Sequence, residues 1–265
     1  MIFGQATNCI FIGNRASYNG GALDNTESTN CNFTNNYAAN EGGAIYSSDP
    51  VKNCIFTNNS ANAGGAIQGS VNIENCTFIS NSANIGGALN GCIAVTNCTF
   101  IGNSAKLEGD DVYSTDTENS KFFTPTTVSS KAVSTTYNVN KYLVITLKDF
   151  KGKPMSGVYV TVSLSGTKKY KTNSNGQIKI NVGKLVPKTY TAKISFAANG
   201  NYLASSTTAK VTVKKAAVKL TAKAKTFKVK VKTKKYTVTL KNNKNKVLKK
   251  VKLTLKVGKK TYKAT

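Results

Sequence analysis

The sequence predicts an all-β protein: a right-handed parallel β-helix with coils of about 22 residues, followed by antiparallel β-sandwich units. Three observations carry this. An Asn-Cys-x-Phe unit recurs at Asn8, Asn30, Asn53, Asn75 and Asn97, so that successive units are 22 or 23 residues apart. A Gly-Gly-Ala-Leu/Ile unit recurs between them, at residues 20–23, 42–45, 64–67 and 86–89. From about residue 132 both stop, and alternating β-branched runs take over. A fixed period of this size signals stacked coils.

Within each coil the residue types set the local geometry. Cys9, Cys31, Cys54, Cys76 and Cys98 precede Phe11, Phe33, Phe56, Phe78 and Phe100 by two positions, which puts both on one face of a strand. Stacked coils then give ladders of like residues, with the cysteines as small buried groups. Gly-Gly-Ala-Ile reads as a corner leading into a second strand. The expected coil is strand, corner, strand, corner, stacked at ~4.8 Å. Asn8, Asn30, Asn53, Asn75 and Asn97 are expected to form an internal amide ladder at one corner. Helical repeats would not tolerate two glycines and several asparagines per unit. Ser120 holds the cysteine slot of the sixth turn, and Cys92 falls off the ladder. Ile2 falls where a strand of a preceding coil would lie, so the chain is expected to begin mid-repeat.

Near residue 123 the solenoid ends. Glu108, Asp110 and Asp111 stand where the glycines stood and read as a solvated cap, terminal repeats being atypical. The polar residues 124–131 are expected to be a linker. Runs 142–147, 158–164, 177–182, 190–196 and 209–213 alternate with period two between Gly- and Asn-containing turns, the pattern of an antiparallel sandwich. Tyr190, after Leu185-Val186-Pro187, reads as the tyrosine corner of Ig-like domains. The expected organisation is a β-helix over 1–123, a linker over 124–131, an Ig-like β-sandwich over 132–215 and a truncated second Ig-like domain over 216–265.

Charge separates the same two materials. Residues 1–123 hold four basic against ten acidic side chains, whereas residues 124–265 hold 33 lysines against Asp149 alone. The lysines alternate along strands as a solvated face that also protects sheet edges. Their field will attract polyanions in a salt-dependent way, but with no Arg or Trp among them no specific nucleic-acid site is expected. No run is long enough to span a bilayer.

The Asn-Cys-x-Phe-x-x-Asn and Gly-Gly-Ala-Ile repeats resemble those of adhesin-like surface proteins of the polymorphic outer-membrane protein and autotransporter kind. Combined with Lys-rich Ig-like repeats, the chain is similar to large adhesin-like proteins of methanogenic archaea. The resemblance implies display at the cell surface, with signal peptide and anchor outside this stretch. It also implies attachment to glycans, anionic wall polymers or other cells, and no catalytic residues. A non-enzymatic monomer without cofactor or metal is expected.

Candidate sites are few. Tyr18, Tyr37, Tyr46 and Tyr113 on loop faces are the expected ligand contacts. The absence of histidine excludes Ser–His–Asp and Cys–His chemistry. A polysaccharide lyase or hydrolase is the alternative, and it would need clustered carboxylates. Asp24, Glu27, Glu41, Asp49 and Glu74 are instead spread over several loops, and Arg15 is the only arginine. Asn-x-Ser/Thr occurs at Asn32, Asn58, Asn75 and Asn97. A glycan at Asn75 or Asn97 would conflict with the expected ladder.

Overall fold

The computed structural model describes residues 4–230 and 232–264, and the helices, strands and turns assigned there include strands but no helix. The expected position of Ile2 lies outside the described residues. The chain divides into two compact units, one of residues 1–127, 147–155 and 196–205, the other of 128–146, 156–195 and 206–265. The solenoid lies within the first.

The coils carry up to four strands rather than the two expected; three faces stack into long parallel sheets, and the fourth holds the shorter parallel pairs Arg15–Ala16 with Tyr37–Ala38 and Ser82–Ile85 with Ser104–Glu108. The first sheet runs Gly4–Thr7, Thr26–Thr29, Val51–Lys52, Ile73–Glu74, Val95–Thr96 and Thr117–Glu118. The second runs Ile10–Ile12, Asn32–Thr34, Ile55–Thr57, Thr77–Ile79, Thr99–Ile101 and Lys121–Phe123. The third runs Leu23–Asp24, Ile45–Tyr46, Ile67–Gln68, Leu89–Asn90 and Val112–Tyr113. The extra strand is hard to see in sequence because Val51-Lys52 or Ile73-Glu74 offers one inward side chain and no periodicity.

The interior is a set of columns. Phe11, Phe33, Phe56, Phe78, Phe100 and Phe122 stack ring on ring, with centroids 4.8 to 5.0 Å apart and planes within 10° of parallel. Beside them Ile45, Ile67 and Leu89 line the third sheet, and Val51, Ile73 and Val95 the first, all fully buried. Each such side chain contributes ~1.5–3 kcal/mol of burial.

The amide ladder exists, but on a different asparagine. Asn8, Asn30, Asn53, Asn75 and Asn97 are exposed and turn the corner at φ of 53–56°, a left-handed conformation that Asn tolerates better than most residues. The buried ladder is five residues after each cysteine. Asn14 donates to the Oδ1 of Asn36 at 2.9 Å, and Asn36 to Asn59, Asn59 to Asn81 and Asn81 to Asn103 at 3.0 Å each. The same Oδ1 atoms accept the backbone N–H one coil away, and Asn59 Nδ2 also donates to the Phe33 carbonyl. A buried amide must have both ends satisfied, and stacking on copies of itself achieves that.

The glycine pairs meet two separate demands. Gly42, Gly64 and Gly86 have φ of 62°, 61° and 61°. The second glycine is required for space: a Cβ on Gly65 would lie 2.1 Å from the Gly87 carbonyl oxygen and 2.7 Å from the Ser82 backbone.

Beyond the solenoid, the segment expected as a linker contains the strand Thr126–Ser130, whose apolar Val128 is buried. It joins a three-stranded sheet with Tyr142–Asp149 and Gln177–Asn181. A five-stranded sheet runs Val133–Thr136, Ser205–Lys214, Thr189–Phe196, Tyr159–Ser163 and Thr167–Lys171. Strict alternation buries Tyr190, Ala192, Ile194 and Phe196 and exposes the residues between. The Tyr190 hydroxyl donates to the Val186 carbonyl at 2.8 Å.

Three substitutions separate these roles. Gly65→Ala should lower unfolding stability by about 3 kcal/mol or more, because the obstacle is backbone. Asn59→Ala should cost about 2–4 kcal/mol through orphaned partners, whereas Asn58→Gly, at an exposed left-handed corner, should stay within about 0.5 kcal/mol. Urea unfolding midpoints at unchanged slope measure all three.

Candidate binding face of the solenoid

The cysteines do more than fill space. Each Sγ accepts the N–H of the preceding cysteine in the stack: Cys9 N–H to Cys31, Cys31 to Cys54 and Cys54 to Cys76, all at 3.4 Å. Each thiol in turn donates to the carbonyl two residues upstream, as Cys54 does to Lys52 at 3.1 Å. Ser120 takes over this role at the last coil, accepting from Cys98 N–H at 3.2 Å. Cys92 belongs to a second column of the same design. There Ser48 N–H donates to Ser70 Oγ and Cys92 N–H to Thr115 Oγ1, both at 3.2 Å. Burial pushes the Cys92 thiol up to about 11, leaving little thiolate at neutral pH. These groups cap corners, and all six cysteines are free.

The acids expected as a cap have separate tasks. Asp111 ends the amide ladder, its Oδ1 accepting from Asn103 Nδ2 at 2.9 Å. Asp110 accepts the Ala105 N–H at 3.1 Å. The Glu108 carboxylate lies beside Tyr113 and raises its phenol above the ordinary value. Elsewhere Glu27 accepts from Gln5 at 2.8 Å, Asp24 from Asn25 at 2.7 Å and Asp49 from Asn72 at 2.8 Å. Glu74 pairs with Lys52 at 3.2 Å, and Glu41 sits in a loop bridged to Asn19 and Ala63. Among the described residues, no three His, Cys, Asp or Glu are placed to share a metal ion.

The tyrosines do not converge. Tyr46 and Tyr113 share one outward column of the third sheet, Asp24–Tyr46–Gln68–Asn90–Tyr113. Tyr18 lies apart in a loop and is 69% exposed. Tyr37 lies on another face, with the Arg15 guanidinium 4.6 Å from its ring centroid.

That face holds the concave feature of most interest. A groove of about 420 Å³ runs along four coils from Tyr37 to Lys106. Its floor is a column in which Tyr37 bridges Ser60, Ser60 bridges Ser82, and Ser82 pairs with Ser104. Along its side Asn84 donates to Asn62 Oδ1 at 2.6 Å. Small alanines between them, such as Ala61 and Ala83, keep the groove open. The surface therefore offers hydroxyls and amides at the coil repeat, an aromatic ring at one end and a cation at the other. That set suits hydrogen bonding to a hydroxyl-rich chain; it contains no carboxylate or imidazole for proton transfer. Sequence reading singled out Tyr37 but missed the serines, although Asn-Ser-Ala-Asn recurs at residues 59–62 and 81–84.

The sequons also change standing. Asn32, Asn58, Asn75 and Asn97 are all exposed, so the conflict expected for Asn75 and Asn97 disappears along with their place in the ladder.

Residues 8–26, 30–48 and 53–70 match the model of the Chlamydia polymorphic membrane protein repeat. The three matched segments lie in three successive coils of the solenoid. Each matched segment runs from a left-handed corner Asn through Cys, Phe and the ladder Asn to beyond the Gly-Gly corner, so each match falls within one coil of the solenoid. No curated protein and no solved structure matches the chain significantly.

Asp111 gives a pH test of the ladder's end. Burial raises its carboxyl above the ordinary 3.8, the Asn103 hydrogen bond opposing this in part. A folded value above the unfolded one means that the ionised form costs stability at neutral pH, and that this cost is removed as pH falls through the raised value. Asp111→Asn continues the ladder with a neutral amide. It should raise the urea midpoint at pH 7 and converge with the parent toward pH ~4.

Proposed function

We propose that this chain is a non-catalytic, adhesin-like protein displayed at the cell surface. In this reading the solenoid presents a binding face and the lysine-rich strands beyond it form a stalk of Ig-like units. The observation that carries the reading is the groove from Tyr37 to Lys106, whose first two coils lie in segments that match a polymorphic-membrane-protein repeat. Its chemistry favours a glycan or wall polymer, because Ser60, Ser82 and Ser104 repeat at the spacing of the coils and so address an extended polymer rather than a compact molecule. The Ig-like reading of residues 132–215 rests on the alternating strands and on the Tyr190–Val186 hydrogen bond. Surface display is supported by the family to which the matched repeat belongs, and by the likeness to adhesin-like proteins of methanogenic archaea. Asp24, Glu27, Asp49 and Glu74 each have a separate local partner, and no carboxylate lines the groove, which gives the lyase or hydrolase reading little to build on.

The test is a glycan and wall-polymer array probed with the intact chain at low salt and at ~0.5 M salt, with release of reducing or unsaturated ends followed in parallel. Binding that survives high salt and weakens at least ~10-fold on Ser82→Trp, which fills the groove, is the expected result. Cleavage of any polymer would overturn the non-catalytic reading. Binding abolished by salt and indifferent to Ser82→Trp would move the contact to the lysine field and away from the solenoid.

A further inference from the structure

Hydroxyls on the solenoid fall into two groups. Those at the corners are consumed inside the fold: Ser70 Oγ accepts from Ser48 N–H, Thr115 Oγ1 from Cys92 N–H and Ser120 Oγ from Cys98 N–H, each at 3.2 Å. Those along the groove are not. Among the described residues, the hydroxyls of Ser60, Ser82 and Ser104 make no hydrogen bond within the protein, which leaves them free for an outside partner.

Across each coil the groove presents three kinds of group in a fixed order. Ser60-Ala61-Asn62 and Ser82-Ala83-Asn84 give hydroxyl, methyl and amide, and Ser104-Ala105-Lys106 gives hydroxyl, methyl and ammonium. Parallel stacking sets like against like: Ser60 bridges Ser82, Ser82 pairs with Ser104 and Ala83 with Ala105, while Asn84 Nδ2 donates to Asn62 Oδ1. A row of methyls thus runs between a row of hydroxyls and a row of amides that ends in Lys106. A pyranose with equatorial substituents has a matching order across its width: a hydroxyl edge, a C–H face and a second hydroxyl edge. Laid face down, its C–H face meets the methyls and its two edges meet the polar rows. Successive sugars of a β-1,4-linked chain are turned over, and hydroxyls and amides that both donate and accept serve either edge.

Spacing along the groove selects the linkage. The coils advance by 4.8 to 5.0 Å, as the stacked phenylalanines show. An extended β-1,4-linked chain advances close to this distance per sugar, whereas an α-1,4-linked chain coils away from the line. A polypeptide advances only ~3.1–3.4 Å per residue in its extended forms, so its side chains cannot meet successive coils in the same relation. Single-stranded nucleic acid calls for a positive groove with several stacking rings. Here Tyr37 supplies one ring, and the Arg15 guanidinium already lies 4.6 Å from its centroid. We propose that the groove holds an extended β-1,4-linked glycan of equatorially substituted pyranoses, lying face down with one sugar on each coil from Tyr37 to Ser104. This rests on the reading of the groove as a binding face and adds the class of polymer it takes.

The test titrates β-1,4-linked oligomers of glucose and of N-acetylglucosamine, from dimer to hexamer, onto the full chain at ~0.5 M salt to screen the lysines. Oligomers of α-1,4-linked glucose of the same lengths are titrated beside them. At least one β-1,4 series is expected to gain affinity with each added sugar up to the tetramer and then level off. At the tetramer it should exceed the α-1,4 series at least ~10-fold. Ser82→Ala deletes one exposed hydroxyl and should weaken tetramer binding about 3–10-fold with the urea midpoint unchanged. A plateau at the dimer, equal binding of the α- and β-linked series, or a Ser82→Ala chain that binds like the parent would overturn one sugar per coil. If salt-resistant binding of another polymer that Ser82→Trp abolishes accompanies such a result, the groove remains a binding face and only the class of polymer falls. If no polymer binding responds to Ser82→Trp, both readings fall.

Discussion

Stacking at a single coil-to-coil distance governs the first unit. Parallel pairing brings each residue against its counterpart 22 or 23 positions away, and the phenylalanine rings repeat at 4.8 to 5.0 Å. Every interior side chain must therefore be a good neighbour to a copy of itself. Phe satisfies this by offset stacking, and Ile and Leu by dispersion. Asn does so because its amide donates and accepts along the same line. Charged groups cannot, and the columns are accordingly uncharged until Asp111, where the stack of like residues has ended.

The same distance decides what happens at the corners. Backbone N–H groups that leave the strands there need acceptors, and the side chain from the next coil is the nearest source. Sulfur and oxygen serve alike, so Cys54, Ser70, Thr115 and Ser120 hold equivalent positions in two columns. Close approach has the opposite requirement at the second glycine of each pair, where a neighbour's carbonyl occupies the space a Cβ would need. With the interior and corners committed in this way, only outward positions are free to vary. The groove of serines and asparagines and the column bearing Tyr46 and Tyr113 are both outward.

Much of this was legible along the chain, and the failures have identifiable causes. Phe and Cys announce their columns because period-two spacing within a coil and a constant period between coils agree. The choice among the three asparagines of Asn53-Cys54-Ile55-Phe56-Thr57-Asn58-Asn59 was not legible, since Asn53 and Asn59 recur with the same period. Backbone conformation separates them: Asn53 and Asn58 lie at φ of 53° and 55° and point to solvent, leaving Asn59 as the interior donor. Thr126–Ser130 was read as a linker because a five-residue polar run with one apolar side chain has no signature of its own; Val128 becomes a core residue only once its sheet exists.

By itself the sequence determined the coil length, the identity of the stacked apolar columns, the positions of the Gly-Gly corners and the change of material near residue 132. All of these are repeated local signals, and repetition makes them readable. Only the tertiary structure decided which asparagine is buried and which turns the corner. It likewise decided that Cys92 joins a hydroxyl column, that Tyr46 and Tyr113 share one face while Tyr18 and Tyr37 lie elsewhere, and that a serine column makes the groove. Each of those depends on where a residue points relative to the coil above and below it, and a repeat reports that two positions are equivalent without reporting which way either one faces.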